Sequence, residues 1–147
     1  MRRFQDSGQT LYAMLDEFLV RCPRCQRSAR VFSLGETKPA LFGPKRLVCA
    51  NCGYSKDWKK SAISIGGPVD AYFRQPLWLQ TPCSGHTLWA YNERHLKYLE
   101  DFISADLREH TQGQTRSMAS RLPTWIISAK NRQDVLKGIE RLKQKLS

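Results

Sequence analysis

The sequence is short of acidic residues. Across 147 residues there are 13 Asp and Glu against 24 Lys and Arg, leaving a formal charge of +11. That shortage argues against two-metal nuclease chemistry, which needs several carboxylates converging on a pair of cations. The one acidic group, at 100–109, reads as a helix surface, and no second cluster would complete such a site. Long apolar runs are also missing. None approaches the roughly 18 residues of a membrane span, and the mean hydropathy is −0.52. The start, "MRRFQDSGQTLY", is basic but lacks the apolar stretch of a secretory signal. These absences predict a cytoplasmic protein with no membrane partner. There is no Gly-rich phosphate loop, no G-x-S-x-G and no H-E-x-x-H. The expectation is therefore a protein that is not an enzyme.

What is present is positive charge, unevenly placed. Residues 1–60 hold 12 Lys and Arg against 5 Asp and Glu, a net +7. Residues 61–110 hold 4 against 6, a net −2, and residues 111–147 hold 8 against 2, a net +6. Two basic ends around a nearly neutral middle point to a polyanion partner, DNA or RNA before others. With 41% hydrophobic and 10% aromatic residues, the chain can still build a core.

Five cysteines fall at positions 22, 25, 49, 52 and 83. The first four form C-x2-C, a 23-residue spacer, then C-x2-C. Cysteines two residues apart rarely pair in a structural disulfide, and a reducing compartment disfavours one further. Each C-x2-C instead makes a knuckle that aims two thiolates at one point. Two knuckles supply four soft ligands in a tetrahedron, with no position left for water or substrate. The predicted cofactor is one structural Zn²⁺ held by Cys22, Cys25, Cys49 and Cys52. Iron also suits four thiolates. Four thiolates and a divalent ion add −2, so the chain stays basic at about +9.

"CPRC" and "CANCG" in this arrangement resemble the zinc ribbon, a fold of transcription and replication factors and of ribosomal proteins. The resemblance covers about residues 20–60. Ribbons usually carry glycine after the second cysteine of a knuckle; Gly53 matches and Gln26 departs. More loosely, the whole chain resembles small bacterial proteins carrying a transcription-factor-IIB-type zinc ribbon. The flanks agree independently. "EFLVRC" (17–22) and "ARVFSL" (29–34) read as one hairpin, and "KRLVCANCGYSKDW" (45–58) as a second. "GETKPALFGPK" between them, with its prolines and glycines, reads as a connecting loop. Arg21, Arg24, Arg27, Arg30, Lys45, Arg46, Lys56, Lys59 and Lys60 flank the knuckles, with Phe42, Tyr54 and Trp58 among them. Basic groups track phosphates and aromatics stack bases, although each aromatic could equally be core.

Downstream, "ISI" (63–65) predicts a short strand, and "LWLQT" and "TLWAY" predict two more joined by a "PCSGH" turn. Alternation sets Trp78 on the face opposite Leu77 and Leu79, and Trp89 opposite Leu88. Within the turn, Cys83 and His86 have metal-ligand spacing. With His95 they could make an open three-ligand site, or the two could form a reactive pair. The plainer reading is a polar turn with a half-buried thiol.

The last third is helical. Asn92 reads as an N-cap, followed by an apolar face of Leu96, Leu99, Phe102, Ile103 and Leu107. "HTQGQTRS" (110–117) reads as a loop. Pro123 starts a short helix, and Asn131 caps a final one with Val135, Ile139, Leu142 and Leu146 in a stripe. Lys130, Arg132, Lys137, Arg141 and Lys143 surround that stripe. Three readings follow for this helix: docked with a solvated cationic face, nucleic-acid-contacting, or offered to a partner or membrane surface.

The predicted architecture is α+β. An N-terminal arm or short helix (1–17) precedes a zinc ribbon (18–60), then a strand layer packed by two or three C-terminal helices (61–147). The expected function is a structural-zinc nucleic-acid-binding module. Its phosphate contacts would be Arg24, Arg27, Lys45, Arg46, Lys56, Lys59, Lys60, Lys130, Arg132, Lys137, Arg141 and Lys143. The alternative is a protein-interaction adaptor using the ribbon and the amphipathic last helix.

Overall fold

In–out alternation along the first three of four short segments, and a single buried Trp58 in the fourth, build one antiparallel sheet. A computed structural model describes residues 4–5, 17–34, 43–58, 63–64, 66–104, 108–109 and 122–146. Its sheet contains β2 (Glu17–Arg21), β3 (Ser28–Ser33), β4 (Lys45–Val48) and β5 (Ser55–Trp58), in that order. A two-residue strand, β1 (Phe4–Gln5), precedes them. Register aligns Phe18 with Val31, Val31 with Leu47, and Lys45 with Trp58. Phe18, Val20, Ala29, Val31, Leu47 and Trp58 are therefore buried. The other face carries Arg30 bonded to Glu17 and Arg46 bonded to Asp57.

The chain divides by contacts into two compact units. The first comprises residues 15–80 and 89–92. In it, segment 76–78 runs antiparallel along the free edge of β2. Arg21 N–H donates to the Pro76 carbonyl at 2.9 Å and Trp78 N–H to the Leu19 carbonyl at 2.9 Å. Leu19 N–H donates to the Tyr91 carbonyl at 2.8 Å. An edge that would otherwise template aggregation is thus occupied. These bonds tie the segment after the ribbon back onto it. A chain of edge-to-face rings fills the core: Trp58 on Tyr72, Tyr72 on Phe18, and Phe18 on Tyr91, with centroids 4.9, 5.8 and 5.2 Å apart. Ile63 and Ser64 form no strand. Backbone pairing there reduces to a bond from Ser64 N–H to the Ala71 carbonyl.

The second unit comprises residues 1–14, 81–88 and 93–147. Strands β6 (Leu79–Cys83) and β7 (His86–Ala90) form the predicted hairpin. Ser84 and Gly85 turn it with φ of 50° and 77°, the double left-handed conformation that a two-residue hairpin loop favours. Leu77, Leu79 and Leu88 are buried while Trp78 and Trp89 are half-buried, as the alternation predicts. Helix α1 (Glu93–Ser104) buries His95 and Tyr98 beside the expected Leu96, Leu99, Phe102 and Ile103. A two-residue strand, β8 (Arg108–Glu109), pairs in parallel with β1. Helix α2 (Thr124–Ile127) begins after Pro123. Helix α3 (Arg132–Lys145) packs on α1 and buries Val135, Gly138, Ile139 and Leu142. Asn131 precedes α3 without capping it, because its side-chain amide donates to the Trp125 carbonyl at 2.9 Å. The fold is α+β, with antiparallel sheets and three α-helices among the described residues. The N-terminal arm before β2 (apart from β1), the 110–117 loop, Phe42 and Leu107 lie outside the described residues.

Candidate metal centre and cationic surface

Two knuckles with the same backbone design bring the four cysteines together. In the first, Cys22 N–H donates to the Arg27 carbonyl (2.7 Å) and Gln26 N–H to the Cys22 carbonyl (2.9 Å). In the second, Cys49 N–H donates to the Tyr54 carbonyl (2.8 Å) and Gly53 N–H to the Cys49 carbonyl (2.8 Å). The residue after each second cysteine is left-handed, Gln26 at φ 66° and Gly53 at φ 80°. Gln26 therefore performs the turn that glycine performs opposite it, at a conformational cost glycine avoids. Both knuckles close hairpin ends of the sheet, β2 to β3 and β4 to β5. The strand register thus sets the distance between the sulfur pairs.

All four Sγ atoms lie within 4.8 Å of one another. Cys22 and Cys52 Sγ are 3.7 Å apart, and Cys25 and Cys49 Sγ 3.5 Å. Metal–sulfur bonds of about 2.3 Å in a tetrahedron place sulfurs about 3.8 Å apart, so the spacing fits one metal ion. Backbone and side-chain donors aim at the sulfurs: Arg24 N–H to Cys22 Sγ (3.3 Å) and the Asn51 side-chain amide to Cys25 Sγ (3.5 Å). The Arg27 N–H and that Asn51 amide draw the Cys25 thiol down to about 6. For Cys22, burial acts upward, but the N–H groups of Cys25 and Arg24 outweigh it and the net shift is downward. For Cys52, the Tyr54 N–H acts downward, yet burial and the neighbouring sulfurs push the thiol up to about 11. A cation bound here would level these differences, since it favours the thiolate at every ligand. The four cysteines are the one group of three or more metal-ligating side chains among the described residues.

The predicted phosphate contacts separate into two classes. Arg24, Arg27, Lys56, Lys130 and Lys137 are exposed and have no carboxylate partner among the described residues, and Arg21 beside the first knuckle joins them. The others are engaged. Lys45 is not on the surface at all: it is 2% exposed, its Nζ donating to the Gly43 carbonyl (3.0 Å) and lying 4.8 Å over the Tyr72 ring. Register places it opposite Trp58 on the buried face, and burial lowers its pKa. Arg46 forks onto both Asp57 oxygens at 2.7 and 3.2 Å. Lys143 bridges Glu100 (2.8 Å) and Glu140 (3.0 Å). Arg141 clamps the hairpin through Thr81 Oγ1 and the Pro82 carbonyl. Arg132 is half-buried, its Nε without a partner among the described residues. Lys59 and Lys60 lie outside the described residues.

Cys83 and His86 do not converge with His95 on a metal. The Cys83 thiol is buried, points at the Asp134 carbonyl (3.4 Å), and is pushed up by burial. His86 stacks on Trp125 at 4.5 Å with the rings 6° from parallel.

Asp70 organises a loop beside the ribbon, and nothing in the sequence pattern singles it out. Fully buried, it accepts from the N–H groups of Tyr72 (2.9 Å), Phe73 (2.7 Å) and Gln75 (2.7 Å). Burial pushes its carboxyl up against the pull of those three donors. One carboxylate thus shapes the 70–75 loop that presents Tyr72, Phe73 and Gln75. Its signal, an Asp two residues before the first of the N–H groups it accepts, is present in "PVDAYFRQP" but short and common.

No helix among the described residues is long and apolar enough to cross a membrane. No family model matches the chain, and no curated protein or solved structure does either.

Proposed function

We propose that the chain is a cytoplasmic, non-enzymatic nucleic-acid-binding module whose ribbon is fixed by one structural zinc ion. The observation that carries this reading is the set of exposed cations without carboxylate partners among the described residues, Arg21, Arg24, Arg27 and Lys56, held around a four-sulfur centre. Zinc is favoured because it takes closed tetrahedral thiolate sites without redox chemistry. Metal analysis of protein purified without added metal tests it: about one zinc per chain supports the reading, and one iron would replace it. The two knuckles, "CPRC" and "CANCG", further support a ribbon of the transcription-factor-IIB type.

The adaptor alternative loses its main surface. Val135, Ile139 and Leu142 are buried at 0–1% exposure, so that stripe is not available to a partner's groove. The last helix also offers fewer cations to a phosphate than its composition implies, because Lys143 is ion-paired with Glu100 and the Arg141 guanidinium is held on the hairpin by Thr81 and Pro82. The test is binding of the metal-loaded chain to short single- and double-stranded DNA and RNA across a salt series. Micromolar affinity with a steep negative log–log slope is expected, since each neutralised phosphate releases counterions. Negligible binding at about 150 mM salt would leave the charge as a determinant of solubility.

A further inference from the structure

The aromatic chain through the first unit ends at a cleft of about 440 Å³, within the range of small-ligand sites. Trp58 and Tyr72 form part of its lining and are buried. Tyr54 and Phe73 also line it, but these two rings are half-buried and have no ring partner among the described residues. Beside them lie the half-buried side-chain amide of Gln75, with no hydrogen bond among the described residues, and the exposed ammonium of Lys56. Pro23 of the first knuckle (next to Arg24), Leu47, and Asp57, whose carboxylate is held by Arg46, complete the wall.

We infer that this cleft binds an unstacked base of a single-stranded nucleic acid. The inference rests on the nucleic-acid reading above and names the form of the ligand. Two free aromatic faces offer stacking to a flat heterocycle, which every base supplies. The Gln75 amide carries a donor and an acceptor together, the pairing that reads a base edge. Lys56 and the knuckle arginines supply the positive charge along which the phosphates of the same strand run. A duplex hides its base faces, so the cleft selects single strands. The Asp70 bonds hold Phe73 and Gln75 in place without ligand, so the cleft is formed beforehand.

The test compares a labelled ten-nucleotide DNA strand with an abasic strand of equal length and with the duplex, on the metal-loaded full chain. The base-bearing strand is expected to bind about tenfold more tightly than the abasic one, a typical gain from stacking one base. Tyr54→Ala and Phe73→Ala should each remove that advantage and leave abasic binding unchanged. Gln75→Leu, which keeps the shape of the side chain, should alter the ranking among homopolymer strands and serves if the alanine variants fail to fold. A cobalt-substituted spectrum of each variant reports an intact four-sulfur centre. Equal affinity for base-bearing and abasic strands overturns the cleft proposal while the salt-dependent reading stands. Absence of binding to every strand even at low salt overturns both.

Discussion

At the scale of single residues, the two knuckles contain a built-in comparison. Gln26 and Gly53 occupy equivalent positions at φ 66° and 80°, and only one of them is glycine. A Cβ at Gly53 meets nothing within 4 Å, so the difference between the two sites is backbone conformation alone. A left-handed non-glycine residue costs about 1–2 kcal/mol, less the entropy glycine loses on folding, about 0.5–1 kcal/mol. Gln26→Gly should therefore stabilise the metal-loaded protein by about 0.5–1 kcal/mol, and Gly53→Ala should destabilise it by a similar amount. Denaturant unfolding of the two variants checks both signs, and a loss in Gln26→Gly would mean that the glutamine side chain supports the knuckle. The four cysteines were legible in the sequence because their spacing states their geometry. Lys45 and Asp70 were not, because nothing local distinguishes a lysine that turns inward from one that turns outward. Only the cross-strand register with Trp58 decides it for Lys45, and only the loop closure decides it for Asp70.

At the scale of elements, the hairpins and helices were readable from period and turn chemistry, but the reasons for particular residues were not. Gly138 looks like a flaw inside α3. It is the point where the helix meets the hairpin tip: a Cβ there would stand 2.8 Å from Leu88 Cδ2 and 3.5 Å from Cys83 Sγ. Alanine would gain up to about 1 kcal/mol of helix propensity. It would also overpack a fully buried leucine, at about 1–3 kcal/mol. Gly138→Ala is expected to be net destabilising by about 1 kcal/mol, read from chemical denaturation. A net gain would show that Leu88 has room to move. Helix α1 likewise buries a wider face than its leucines predict, and His95 lies inside it. Burial lowers its pKa to about 4, against about 6.5 in an unfolded chain. Above pH 6.5 both states are neutral and the group contributes no pH dependence. As pH falls from 6.5 towards 4 the unfolded chain takes up a proton that the folded one refuses. Stability should drop over that window by about 3 kcal/mol. In His95→Gln that component of the slope should vanish, whatever the substitution does to absolute stability. An unchanged slope between the two proteins would assign the pH dependence to other groups.

At the scale of the whole molecule, net charge and metal occupancy make opposite forecasts for nucleic-acid binding. Releasing a divalent ion from four thiolates and protonating them raises the charge from about +9 back to the formal +11. If affinity followed total charge, the metal-free protein would bind more tightly. The arrangement of the cations argues otherwise. Arg24 and Arg27 sit in and beside the first knuckle, and Lys56 lies on the strand that leaves the second. A metal ion held by the four sulfurs would be the link that bonds the two knuckles to each other. Without it the first knuckle keeps its left-handed Gln26 but loses the ligand bonds that compensate for it. Chelation should therefore weaken binding by about tenfold or more, even as net charge rises, because fewer cations meet the strand at once and the salt slope falls with them. Amide exchange should increase first at residues 22–27 and 49–54, while the ring chain from Trp58 to Tyr91 keeps its packing. Readdition of zinc should restore affinity, slope and protection together. Tighter binding by the chelated protein would instead mean that the cations act through their number and not through their placement, and would detach the metal from the binding role.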